Sequence, residues 1–479
     1  MDTTDPQQTN PGTASRRAFL SLSAAAVAAG VTLDPRPAAA AASGHSDGPG
    51  RPVTKQKPDA ELRALLRDLD QRRIEATVRK LVGFGTRHTL SPQDDPARGI
   101  GAARDWILAE MQRYATASGG RMKVELQSYI QQPASRIPTA TRITNVVATL
   151  RGSTTPERVY VVSGHYDSRV TDVMNATADA PGANDDASGV AVAMEMARVM
   201  ATRAPKSTIV FTAVAGEEQG LYGARHMAEQ YKKAGTDVQA MFTNDIIGSS
   251  TADDGTREPR TVRLFAEGVP TSETPEQANT RRSVGGENDS PSRQLARFVG
   301  DVAENRETGM TVRVIYRRDR YLRGGDHIGF LEQGYPAARF TELNENFDHQ
   351  HQDVRTENGK RFGDLPEFCD FAYITRVAKV NAATLWSLAQ GPGTPKGVKV
   401  RTEQLTNDTD LVWTRGSEPD LAGYEVLWRE TTSPDWTHVI PVGDVTQVRI
   451  DLSKDNAFFG VRAVDRDGHR SPVSFPTPS

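Results

Sequence analysis

Four short segments of the chain place an acid or a histidine just past an apolar run. They read VVSGHYDS (161–168), GANDDASG (182–189), AVAGEEQGLYG (213–223) and FTNDIIGS (242–249). A fifth, NENFDHQHQD (344–353), adds histidines after another apolar run. Metal-ligating side chains repeated at strand ends narrow the fold. In an open α/β sheet, ligands gather outside the carboxyl ends of the strands, near a reversal of strand order. The pattern between these segments agrees. Apolar runs at 122–129, 143–150, 158–163, 208–214, 240–247, 262–266, 312–316 and 336–341 predict strands. Spacing at 187–203, 221–234, 292–305 and about 366–389 predicts helices. Leu62, Leu65, Leu66 and Leu69 recur at helical spacing, as do Trp106, Ile107, Met111 and Tyr114. The expected fold is a mixed, mostly parallel sheet flanked by helices over residues 58–390.

The residues at the strand ends define a chemistry. His165, Asp185, Glu217, Glu218 and Asp245 fall together if the strands do. Clustered carboxylates repel one another unless a cation sits among them, and imidazole with carboxylate suits zinc. Asp167, two residues beyond His165, is placed to reach the ring nitrogen that does not face the metal. Glu217 and Glu218 are adjacent in a turn bounded by Gly216 and Gly220, so one can serve the metal and the other a water. Singly, each residue has an ordinary reading: a core histidine, a solvated acid pair, a helix cap at Asp185. Several convergent roles in order outweigh these. Neither an HExxH pattern nor a GxSxG elbow occurs.

These motifs resemble the co-catalytic zinc aminopeptidases, the secreted bacterial leucyl type. Glutaminyl cyclases, glutamate carboxypeptidase and the transferrin receptor share their fold. The resemblance spans about 80–390. It implies that His165 and Asp245 hold one zinc, that Glu218 and His349 hold the other, and that Asp185 bridges both. Glu217 would be the general base and Asp167 would orient His165. A cis peptide after Asp185 is also implied. The late segment holds two histidines, either a competent ligand; the four-residue offset to Asp353 selects His349 over His351. Asp326, in GDHIGF (325–330), would support His349 or its loop, and Tyr321 is a stand-in for a tyrosine that helps the oxyanion in relatives. The implied activity is hydrolysis of N-terminal residues from peptides. A carboxypeptidase, a cyclase or a non-catalytic receptor would be the other uses of the scaffold.

The remaining segments have their own signatures. Gly391-Pro392-Gly393-Thr394-Pro395 is a breaker cluster. Beyond it, short alternating runs predict a β-sandwich over 396–479 that resembles a fibronectin type III module. Trp413 and Trp428 are expected in its core, leaving Trp436 as the one candidate for contact with a surface or polymer. Residues 1–42 carry Arg16-Arg17 before an apolar stretch and resemble a twin-arginine export signal. The expected location is therefore periplasmic or extracellular, with 43–57 a linker. The apolar stretch is shorter than the about 20 residues of a membrane span. With 58 basic and 61 acidic residues, no field of one sign favours nucleic acid. A single cysteine, Cys369, excludes an intramolecular disulfide.

Overall fold

The computed structural model describes residues 48–479. The expected export signal and the start of the expected linker lie outside them. The sheet strands are β1 Met122–Gln131, β2 Thr141–Leu150, β3 Thr155–His165, β4 Ser207–Val214, β5 Asp237–Asn244, β6 Thr261–Phe265, β7 Thr311–Ile315 and β8 Ala337–Glu342. They form one sheet in the order β1-β2-β4-β3-β5-β8-β6-β7. Strands β4, β3, β5 and β8 are parallel. The outer pairs β1/β2, β2/β4 and β8/β6 are antiparallel. From β3 the chain passes to β4 on one side and then to β5 on the other. Strand order thus reverses at β3, and a crevice opens at the carboxyl ends of β3, β4 and β5.

Side chains of β3 alternate between two cores, as the two-residue period of a strand requires. Tyr160 and Val162 face the larger core, with α1 (Ala60–Arg67), α2 (Gln71–Val82), α3 (Ile100–Thr116) and α4 (Ser188–Ala201). Val159 and Val161 face the smaller one, with α5 (Tyr222–Ala234). Four later helices have sequence signals of different strength. Pattern predicts α7 (Pro291–Ala303) and α9 (Phe371–Gln390). It misses α6 (Pro275–Ser283), which buries no residue and so has no apolar stripe; a capping box of Thr274 and Gln277 holds its start. It also misses α8 (His327–Glu332), too short to show a period.

Beyond the breaker cluster, β9 (Lys396–Val400), β10 (Thr409–Thr414) and β13 (Gln447–Ile450) form one sheet; β11 (Leu421–Glu430), β12 (His438–Gly443) and β14 (Ala457–Asp465) form the other. Trp413, Tyr424, Val426, Trp428 and Val461 fill the space between them. Trp436 is not an exposed contact. It is 9% exposed, and its Nε1 donates to Gln294 Oε1 of α7 at 2.9 Å. The surrounding contact is ionic and buried: Arg429 reaches Asp289 at 2.7 Å, and Arg158 of β3 reaches Glu418 at 2.7 Å. Pro49–Ser479 consequently forms one compact unit.

The expected linker is also tied down where it is described. Arg51–Pro52 adds an edge strand to β12. Trp428 Nε1 donates to Pro49 O at 2.7 Å, Val53 N–H to Thr437 O at 2.9 Å, and Arg470 to Thr54 O at 2.7 Å. Cys369 stands just before α9, half-buried, rather than within the helix. Among the described residues, no helix is long and apolar enough to cross a membrane.

Candidate metal centre

His165 is the last residue of β3, and its position depends on a close approach. A Cβ on the preceding Gly164 would lie 2.3 Å from Val190 N, so only glycine admits the start of α4 against the strand. Asp186 locks this approach by accepting from His165 N–H and Gly189 N–H, each at 2.9 Å. The peptide between Asp185 and Asp186 is cis. Arg87 holds the other end of the turn. Its buried guanidinium donates to Tyr166 O, Leu81 O, Pro181 O and Gly182 O at 2.6–3.2 Å. Asp364 accepts from Asn184 and Asp185 N–H at 2.8 and 2.7 Å. The two Asp185 oxygens therefore stand in a fixed direction.

Two triads meet at that carboxylate. His165, Asp185 and Asp245 form one; Asp185, Glu218 and His351 form the other, and within each the facing atoms lie within 4.8 Å of one another. Asp185 Oδ1 is 3.0 Å from His165 Nε2, and Oδ2 is 2.8 Å from His351 Nε2. His351 Nε2 is also 3.0 Å from Glu218 Oε1, and Asp245 Oδ1 is 3.9 Å from His165 Nε2. Asp167 sits behind them. It accepts from Glu218 and Glu217 N–H at 3.1 and 3.3 Å and from the Thr89 hydroxyl at 3.0 Å. Its carboxylate lies 3.6 Å from His165 Nδ1, and its backbone carbonyl lies 3.1 Å from the same nitrogen.

The late histidine requires a correction. His349 does not join the group: it stacks on Phe368 with ring centroids 3.7 Å apart. His351 is the one turned inward, on a backbone in the left-handed region at φ 57°. Its offset from Asp353 misled because Asp353 serves the fold, accepting from Thr171 N–H at 3.4 Å. Asp326 is likewise not a support for His349. It is buried near His165, Asp167 and Asp245, and neither carboxylate oxygen has a hydrogen-bond partner among the described residues. Tyr321 is 77% exposed, with Arg317 stacked on its ring.

Some neighbours of the site went unread in the sequence. Arg339, fully buried on β8, meets Asp245 Oδ1 at 2.9 Å. An arginine inside a wholly buried strand was the available signal. Arg169 meets Glu218 Oε2 at 2.9 Å and lies 2.5 Å from His351 Nδ1. Gln350 donates to Asp185 Oδ2 at 3.1 Å.

Electrostatics mark the cluster as built for positive charge. Burial opposes a charged His165, yet Glu217 and the hydrogen-bonded Asp167, Asp185 and Asp245 hold its pKa well above the usual imidazole value. His351 is pushed up to about 9: burial opposes its charge, and Glu218 and Asp185 overcome it. Burial, with Asp245 and Glu218 nearby, raises Glu217 well above the carboxylate range. His165 Nε2 and Glu218 Oε1 are buried without a well-formed hydrogen bond. Carboxylates and imidazoles converging on a shared carboxylate, with such atoms left over, fit divalent cations of the zinc type.

Fold and site together define a class, the zinc exopeptidase type of α/β fold. Comparison with known proteins agrees. Residues 145–362 match the model of peptidase family M28. A probable zinc metalloprotease of Leptosphaeria maculans is 58% identical over 426 residues, covering 89% of this chain and 99% of that protein. Another, of Pyricularia oryzae, is 58% identical over 435 residues, covering 90% and 87%. The LapA aminopeptidase of Legionella pneumophila shares the fold at 19% identity and a TM-score of 0.50, covering 71% of this chain and 76% of that one. The chain belongs to peptidase family M28.

Proposed function

We propose that the chain is an exported aminopeptidase that uses two zinc ions to release N-terminal residues from peptides. The observation that carries the reading is the division of Asp185, with one oxygen toward His165 and the other toward His351. His165 and Asp245 would hold one ion and Glu218 and His351 the other, with Asp185 common to both triads. Zinc bound there supplies Lewis acidity toward a water and the scissile carbonyl. Glu217 does the proton work. No hydrogen bond ties its carboxylate among the described residues, which leaves it free to take a proton from water and pass it to the leaving amine. Asp167 fixes the His165 ring and, through two N–H groups, the turn that carries Glu217 and Glu218. Arg339 holds Asp245 in place.

The test is release of amino acids from unblocked and N-acetylated peptides, with and without a chelator. The expected result is release that requires a free amine and stops on chelation. Equal cleavage of blocked peptides would remove the aminopeptidase reading. Export is tested separately, by locating the mature protein when Arg16 and Arg17 are both replaced by lysine; retention inside the cell is expected.

A further inference from the structure

A cavity of about 330 Å³ opens beside the metal centre. Arg169, Arg323, Phe347, Gln350 and His351 are among its lining residues, and no carboxylate is. His351 and Gln350 both reach Asp185, so the cavity adjoins the reacting centre directly. The Arg169 guanidinium is committed to Glu218 and His351. Arg323 is not committed in the same way. Its Nη1 reaches Glu345 Oε2 at 2.8 Å, but that carboxylate also serves Arg320 at 3.0 Å and Arg263 at 3.1 Å. One acid against three guanidiniums leaves a surplus of positive charge. Asp319 does not remove it, since Asp319 is shared between Arg320 and Arg339. Of the three arginines on Glu345, Arg323 is the most open, at 34% side-chain exposure against 17% and 10%. Phe347, 57% exposed, supplies an apolar wall at the rim.

We propose that this cavity selects a carboxylate on the side chain of the substrate's first residue, with Arg323 as its partner. The inference rests on the aminopeptidase reading and adds a specificity to it. A guanidinium pairs with a carboxylate through charge-assisted, often bidentate, hydrogen bonds, whereas an amide of the same shape gains little from the surplus charge. A methylene stem against Phe347 completes the fit to an acidic residue with a short aliphatic arm.

The experiment compares kcat/KM for four tripeptides, with glutamate or glutamine first, or alanine first and glutamate or glutamine second. The zinc-loaded enzyme is used at low and high salt. The expected result is a preference for first-position glutamate over glutamine of about tenfold, smaller at high salt. Arg323→Gln should bring that ratio toward one, and Arg323→Lys should keep part of it. A wild-type ratio of one or below overturns the inference, as does an acid preference confined to the second position. A ratio unmoved by Arg323→Gln in a folded variant also overturns it. The wild-type ratio and its salt dependence decide the matter even where the variants fail to fold. Hydrolysis without acid preference sinks the inference alone; cleavage of none of the four peptides sinks the aminopeptidase reading with it.

Discussion

Glu217 and Glu218 are neighbours in sequence with opposite surroundings. Glu218 is held by Arg169 and faces His351, while the Glu217 carboxylate has no hydrogen-bond partner among the described residues. Glu217→Gln should therefore keep the metal and lose the proton shuttle. Its kcat is expected to fall by about 10²–10⁴, with zinc content unchanged by elemental analysis. The two late histidines separate just as sharply. His351→Ala should remove about half of the bound zinc, because it strips one imidazole from the triad of Asp185 and Glu218. His349→Ala removes a stacking partner of Phe368 and should leave the zinc content unchanged. Equal metal loss in the two variants would refute the assignment of His351.

At the scale of elements, the segment 317–326 is held to the segment that carries His351 through Glu345. Arg320 and Arg323 bind it from the first segment, and Arg263 from β6. Burial opposes the charge on Glu345, but these arginines hold its pKa down at about 2. A carboxyl depressed on folding contributes stability that is full above its unfolded value, near 4.3, and is lost as pH falls toward 2. Amide exchange in 317–326 should rise over that window. Glu345→Gln should show the faster exchange already at neutral pH.

The same elements show what the sequence carried. β3, β4 and β5 were legible because apolar runs end at a histidine or acids, and those ends became the site. His351 was not, since its inward turn depends on a left-handed backbone position that nothing local announces. Arg339, Arg169 and Asp364 reach the site from β8, from the loop after β3 and from the loop before α9. Long-range partners of this kind have no spacing to read. Trp436 departs from its expected exposure for a related reason. A tryptophan in a polar stretch reads as exposed until the helix that covers it is placed.

For the whole molecule, the sandwich works as a brace. Arg429 and Arg297 both meet Asp289, whose side chain is fully buried. Removing Arg429 leaves Asp289 with Arg297 as its one guanidinium, so the loss is smaller than the cost of about 3–5 kcal/mol for a buried charge left with no partner. Arg429→Met should lower the unfolding midpoint, read by calorimetry, with little change in KM, since the side chains that meet Asp289 are those of Gln294, Arg297 and Arg429, none of them in the metal centre. A chain ended after Gly391 loses Arg429 and Trp436 together, and is expected to aggregate rather than yield a free catalytic body.

The segment from Pro49 to Thr54 has a consequence for the order of events during synthesis. Its partners are Trp428, Thr437, Val439 and Arg470, nearly 400 residues later. At about 5–20 residues per second, the ribosome needs tens of seconds to make that intervening stretch. The segment must wait, unpaired, until the strands of the sandwich that hold it have been made. A nascent chain stalled before β12 should thus be open to protease at 49–54, and the released protein closed.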